Sequence, residues 1–161
     1  MAAGLALGMA VRERLASRYV LLQQTQDMLS RLRVMLQQER MGLRELLEEC
    51  AAGLEGSMPD RFRFVAEVLQ REPLVAVQEA YHRAESQIPC SGEKRGEKAA
   101  MNQLFCEIST GTASMREQAV AACLRRLRPV MEEVEKHRQT GGKLCVQLGL
   151  LAGLMAGILL W

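Results

Sequence analysis

Side chains able to do chemistry are few and widely spaced in this sequence. Its 161 residues include 5 cysteines and 2 histidines, with no Cys-x-x-Cys pair and no histidine at a zinc-finger spacing. An odd, scattered set of cysteines is typical of buried thiols in a reducing compartment. We therefore expect His82 and His137 to be surface or packing residues, and we expect no metal and no other cofactor.

Motifs of catalysis are absent as well. The sequence has no glycine-rich loop ending in Gly-Lys-Ser/Thr and no Gly-x-Ser-x-Gly segment. Its adjacent glutamate pairs, at 48–49 and 132–133, would point in different directions on a helix and do not form a paired-carboxylate site. We predict that the chain is not an enzyme and has no small-molecule substrate.

The densest basic cluster consists of Arg125, Arg126 and Arg128. It is either a candidate partner surface, for an acidic protein or lipid head groups, or simply a solvated helix face. Lys and Arg total 21 against 19 Asp and Glu, a net charge of +2. That balance is too weak to make nucleic acid the main partner.

The C-terminal segment 144–161 carries no charged side chain. As a helix it would be about 27 Å long, close to the thickness of a bilayer's hydrocarbon core. We predict a transmembrane helix here, the alternative being a buried C-terminal core helix. Gly149, Gly153 and Gly157 recur every four residues, so they would share one face on which a second helix could pack closely.

The N-terminal segment 1–11 is also apolar and is too short to cross a bilayer alone. It is either a half-inserted segment or the remainder of a truncated first membrane span. Basic residues lie just inside both apolar ends, which predicts a cytoplasmic location for the region between them. They are Arg12, Arg14 and Arg18 on one side and Lys136, Arg138 and Lys143 on the other.

Leucines repeat every seven residues between positions 15 and 43, as expected for one long helix from about 11 to 51 with a break near Gly42. Polar residues interrupt this stripe, which favours an intramolecular bundle over a coiled-coil dimer. We predict an all-α fold: an antiparallel helix bundle with a C-terminal transmembrane helix and a short apolar N-terminal segment. The regions are 1–11, a cytoplasmic bundle at 12–140, and 144–161.

Local signals place the shorter helices. Ser57 is expected to cap a helix over about 60–70, and a helix starting at Pro73 would bury Leu74. Gly111 suits a left-handed helix end, and Ser114 begins a capping box for the last helix of the bundle. The glycine- and proline-containing loop 88–96 should be the most mobile part of the bundle.

Three short patterns in this order resemble the stage III sporulation protein AB family of endospore-forming bacteria. The first is Lys143 and Leu144 followed by Leu148-Gly149-Leu150-Leu151-Ala152-Gly153-Leu154. The second is Gly111, Ser114 and Gln118, with Ser114 where the family pattern has Asp. The third is Leu43-Arg44-Glu45-Leu46-Leu47, preceded by Gly42 where Pro is usual.

The resemblance implies a cytoplasmic domain similar in fold to the helical domain of the type II secretion platform protein. It also implies a place in the mother-cell membrane around the forespore, in a secretion-like complex. The expected partners are a cytoplasmic secretion-type ATPase and other membrane subunits, with the chain as a non-enzymatic scaffold. The alternative is a tail-anchored helical regulator or fusion factor that acts through helix packing.

Overall fold

The computed structural model describes the backbone of residues 2–38 and 41–159, and the side chains of residues 10, 12–38 and 41–140. This part of the chain folds into six helices and contains no strand, which confirms the predicted all-α bundle. The helices are α1 (Ala2–Gln37), α2 (Leu43–Ala51), α3 (Ser57–Arg71), α4 (Val77–Gln87), α5 (Arg95–Thr110) and α6 (Ala113–Leu159).

The two long helices, α1 and α6, lie antiparallel. At one end of the bundle, the Gln37 side chain donates a 2.7 Å hydrogen bond to Glu117 of α6. Toward the other end, the Arg138 guanidinium lies 4.7 Å from the centre of the Tyr19 ring. Residue numbers therefore rise along α1 as they fall along α6. The short helices complete the bundle: α2 packs on α1 and α3, α3 on α4, α4 on α5, and α5 on α6.

The seven-residue leucine repeat forms the buried face of α1. Leu22, Leu29 and Leu36 are buried in contact with the other helices. Thr25 interrupts this face and is also buried, but its hydroxyl donates a 2.8 Å hydrogen bond to the Leu21 carbonyl. A polar residue in the seam is thus satisfied within its own helix, and the stripe packs inside one chain.

The break near Gly42 is confirmed, because α1 ends at Gln37 and α2 begins at Leu43. The prediction that Ser57 caps α3 is wrong: Ser57 is the first helical residue, and Gly56 is the N-cap with φ of 138°. An added Cβ at Gly56 would lie 2.6 Å from the amide oxygen of Gln24. The Gln24 side chain meanwhile donates a 2.7 Å hydrogen bond to the Glu55 carbonyl, so α1 presses closely on this turn.

Three other local predictions are also wrong. Leu74 is fully exposed, because Glu72 to Val75 form a turn and α4 begins only at Val77. Gly111 has an extended conformation, with φ of −91°, and needs no left-handed geometry. Ser114 lies inside α6, where the cap is supplied instead by Thr112, whose hydroxyl accepts a 3.5 Å hydrogen bond from the Met115 N–H.

The predicted membrane segments 1–11 and 144–161 lie almost wholly outside the described side chains. The α6 backbone continues as helix past Gly149, Gly153 and Gly157, whose surroundings are likewise outside the described residues. Where the side chains are described, no helix combines the length and apolar character that crossing a bilayer requires.

Candidate interaction surface

The basic cluster of α6 divides between two faces of the helix. Cys123 and Arg116 face α5, where the Cys123 thiol lies 3.8 Å from the Ala100 carbonyl. At about 100° per residue, Arg126 also turns toward α5, whereas Arg128 points about 160° away from it. Arg125 and Arg128 are three residues apart and are both exposed. The structure therefore brings only these two together.

Arg126 has a structural contact. Its guanidinium donates a hydrogen bond to the side-chain oxygen of Gln103 on α5. Beneath this contact lies a small groove of about 150 Å³ lined in part by Ala100, Leu127 and Val130. Arg126 thus bridges the two helices over an apolar floor, and we assign it to the α5–α6 contact rather than to the free surface.

Arg125 and Arg128 differ from most arginines elsewhere in the bundle. On the short helices, Arg44, Arg71 and Arg83 each form an ion pair with a carboxylate one turn away on the same helix. Across the part of the chain whose side chains are described, no carboxylate lies within ion-pair distance of Arg125 or Arg128. These two charges are available to an acidic partner.

The principal polar feature that the sequence did not reveal is a buried arginine in α3. Arg61 is fully buried, and its Nε donates a 2.8 Å hydrogen bond to the Ile88 carbonyl. Its Nη1 donates to Glu93 at 3.1 Å, and Nη2 lies 3.0 Å from the other Glu93 oxygen. The loop predicted to be most mobile, 88–96, is therefore anchored to α3 by a buried ion pair. An isolated arginine in a helix gives no sequence signal of such a role.

Aromatic rings surround this ion pair and join three helices. The Tyr81 ring stacks on Phe105 with centroids 4.0 Å apart, and Phe62 meets Phe105 edge-on at 5.4 Å. Burial lowers the pKa of Arg61, but the hydrogen bond to Glu93 and nearby charges outweigh it, so that pKa lies above its usual value. Burial raises the pKa of Tyr81. Arg61 is therefore charged and Tyr81 neutral at any physiological pH.

A second buried ion pair joins the long helix α1 to the start of α5. Arg18 contacts the Glu97 carboxylate, and the two side chains are only 12% and 5% exposed. The other Glu97 oxygen accepts a 3.1 Å hydrogen bond from the Lys94 N–H. Glu97 therefore caps α5 and holds it against α1 at the same time.

The cysteines are separate thiols. Cys50, Cys90 and Cys123 are buried, and burial raises their pKa values to about 12, about 11 and about 11. Cys106 is exposed, contrary to the expectation that the thiols are buried. Cys145 lies outside the described side chains. Within the described residues, no three His, Cys, Asp or Glu side chains are grouped as a metal would require.

Both histidines lie at the surface. His82 is 70% exposed and 3.6 Å from Glu85, and His137 is 69% exposed and 3.8 Å from Glu133. They belong to different helices, α4 and α6, and each faces a carboxylate on its own helix. This agrees with the prediction of surface histidines.

The fold defines a class: a small helical bundle closed by two long antiparallel helices, with paired charges in its interior. A family model described as "Stage III sporulation protein AB" matches residues 1–161. The chain belongs to the stage III sporulation protein AB family. This confirms the resemblance seen in its short sequence patterns.

A solved structure titled "Stage III sporulation protein AB (SpoIIIAB)" is similar to the chain, with a TM-score of 0.69. The similarity covers 77% of this chain and 98% of that one at 13% identity, so it shows a shared fold. No curated protein sequence matches the chain.

Proposed function

We propose that this sporulation protein is a membrane-anchored, non-enzymatic scaffold in a secretion-like complex between mother cell and forespore. The observation that carries the proposal is the family match over the whole chain. The helical bundle is cytoplasmic in this proposal and docks a secretion-type ATPase. The apolar C-terminal segment sits in the mother-cell membrane around the forespore and contacts other membrane subunits.

The uncharged segment 144–161 supports the anchor, since it is long enough to span the hydrocarbon core. On this proposal Gly149, Gly153 and Gly157 form the face on which a neighbouring subunit's helix packs. Alkaline carbonate extraction tests the anchor directly. The full-length chain should stay in the membrane pellet, and its release into the supernatant would contradict the proposal.

Two exposed charges support docking of an acidic protein surface. Arg125 and Arg128 share the outward face of α6, and rim charges of this kind steer partners and raise association rates. The buried charges, by contrast, are engaged with each other: Arg61 with Glu93, and Arg18 with Glu97. Their use in packing is why we propose binding rather than catalysis.

Co-purification of the ATPase with charge-reversed chains tests the docking surface. The variant Arg125→Glu/Arg128→Glu should recover about tenfold less ATPase or below, because two favourable charges become repulsive. The matched control is Arg71→Glu, which also reverses an exposed arginine but on α3. Equal recovery with both variants would show that the α6 face is not the docking surface.

The glycine face has its own test. Replacing Gly149, Gly153 and Gly157 by Leu keeps the segment apolar, so membrane insertion should persist. Bulky side chains would prevent close helix approach, and the membrane subunits should no longer co-purify. Unchanged co-purification would refute this assignment of the glycines.

A further inference from the structure

A cavity of about 430 Å³ opens at the end of the bundle from which the apolar segments leave. It lies between α1, α6 and the first residues of α5. Leu15 and Val134 supply apolar lining, and Arg18 and Lys94 supply positive charge. The remaining lining residues are Glu133, His137 and Thr140. The single acidic group, Glu133, lies 3.8 Å from the His137 imidazole.

Arg18 is held in place but is not fully satisfied. One of its terminal nitrogens contacts Glu97, which fixes the guanidinium beside the cavity. Its Nε is buried and has no hydrogen-bond partner among the described residues. A buried donor of this kind calls for a missing acceptor. Lys94 is exposed at the same cavity and adds a mobile point charge.

The height of the cavity above the hydrocarbon follows from helix geometry. Thr140 precedes position 144 by four residues, which is about 6 Å along a helix, and His137 by about 10 Å. The polar head-group layer of a bilayer is about 5–8 Å thick on each side. With the anchor of the proposed function in place, the cavity lies at the level of the lipid phosphates.

We propose that this cavity binds the phosphate of an anionic phospholipid head group. Arg18 and Lys94 face the phosphate oxygens, which suit an arginine fork and a lysine point charge. Leu15 and Val134 contact the glycerol part of the lipid. The inference rests on the membrane anchor proposed above and adds to it a site for a specific class of lipid.

Lipid retention by the detergent-purified full-length chain tests the site. The chain is mixed with equal amounts of phosphatidylglycerol and phosphatidylcholine, repurified, and its bound lipid measured by mass spectrometry. Phosphatidylglycerol should be enriched on the unaltered chain. Lys94→Gln should reduce that enrichment about fivefold, the effect of one basic charge near an anionic lipid.

The matched control is Lys98→Gln, which removes an exposed lysine of the same helix that pairs with Glu85 and does not line the cavity. Its enrichment should stay unchanged. Equal retention of both lipids by the unaltered chain, or an equal loss with Lys98→Gln, would overturn the site.

Two further outcomes are distinguishable. If inorganic phosphate raises the melting temperature as much as phosphatidylglycerol does, the ligand is a soluble phosphate and the lipid proposal is overturned. Carbonate extraction of the chain with the lipid preference intact in micelles would contradict the anchor alone, while the cavity's preference for an anionic head group would stand.

Discussion

The Arg61 guanidinium lies 3.0 Å from the Glu93 carboxylate, and the two side chains are 0% and 1% exposed. This pair connects α3 to a loop 32 residues further along the chain. A buried charge without its partner is costly, so the pair fixes the position of the loop even where its attraction only offsets desolvation. Its contribution is best measured by removing one partner and then both.

Replacing Arg61 by Met should lower the free energy of unfolding by about 3–5 kcal/mol, because Glu93 is left buried without a counter-charge. The double variant Arg61→Met/Glu93→Leu should regain much of that loss. Urea unfolding of the full-length chain in mild detergent measures both. As a control, Arg71→Met removes an arginine that is 74% exposed and should cost less than about 1 kcal/mol. A similar cost for Arg61→Met would contradict the role assigned to the buried pair.

The turn before α3 gives a second prediction. Gly56→Ala should destabilise the chain by more than about 1 kcal/mol, since φ of 138° disfavours any side chain and Gln24 occupies the space of the new Cβ. Gly42→Ala is the control, because φ there is −68° and nothing lies within 4 Å of an added Cβ. Thermal unfolding compares the two. A melting temperature lowered equally in both would argue against a special role for Gly56.

Stability should also fall at alkaline pH through the buried thiols. The pKa of Cys50 rises from 9.0 to about 12 on folding, so the unfolded chain loses this proton first as pH increases. Its stabilising effect is complete below pH 9 and decreases between pH 9 and about 12, by about 1.4 kcal/mol per pH unit.

Urea unfolding at pH 8 and pH 10 tests this dependence. Cys50→Ala should reduce the fall in unfolding free energy between the two pH values, whatever its effect at pH 8. Cys106→Ala, which removes an exposed thiol, should leave the fall unchanged. If both variants show the same pH dependence as the unaltered chain, Cys50 is not the group responsible.

Cys106 should likewise react differently from the buried cysteines. A water-soluble alkylating reagent at pH 8 should modify Cys106 in the folded chain and reach Cys50 and Cys123 only after unfolding, because those thiols are buried and protonated. Mass spectrometry of peptides identifies the modified sites. Equal modification of Cys50 and Cys106 under native conditions would contradict the burial described above.

The sequence predicted those features that depend on periodicity. The seven-residue spacing of Leu22, Leu29 and Leu36 identified the buried face of α1, because one face of a helix must supply the core. The break at Gly42 followed from local chain chemistry in the same way. Helix ends were less predictable: both Ser57 and Thr112 lie near a helix start, and the local sequence does not decide which residue adopts the cap conformation.

Features that depend on distant contacts could not be predicted. Arg61 has an ordinary helical neighbourhood in the sequence, and its burial depends on Glu93 and Ile88 reaching it from a loop. The arginine cluster was found as a sequence feature, but only the position of α5 shows that Arg126 is engaged with Gln103 and separate from Arg125 and Arg128.

The helix α6 has a mechanical consequence. Its 47 residues, Ala113–Leu159, form one continuous helix about 70 Å long that begins at the far end of the bundle and extends beyond it. A continuous helix resists twisting, so rotation of its apolar end must turn the outward face that carries Arg125 and Arg128. Rearrangement among membrane subunits and the orientation of a docked motor would then change together, through a single shaft.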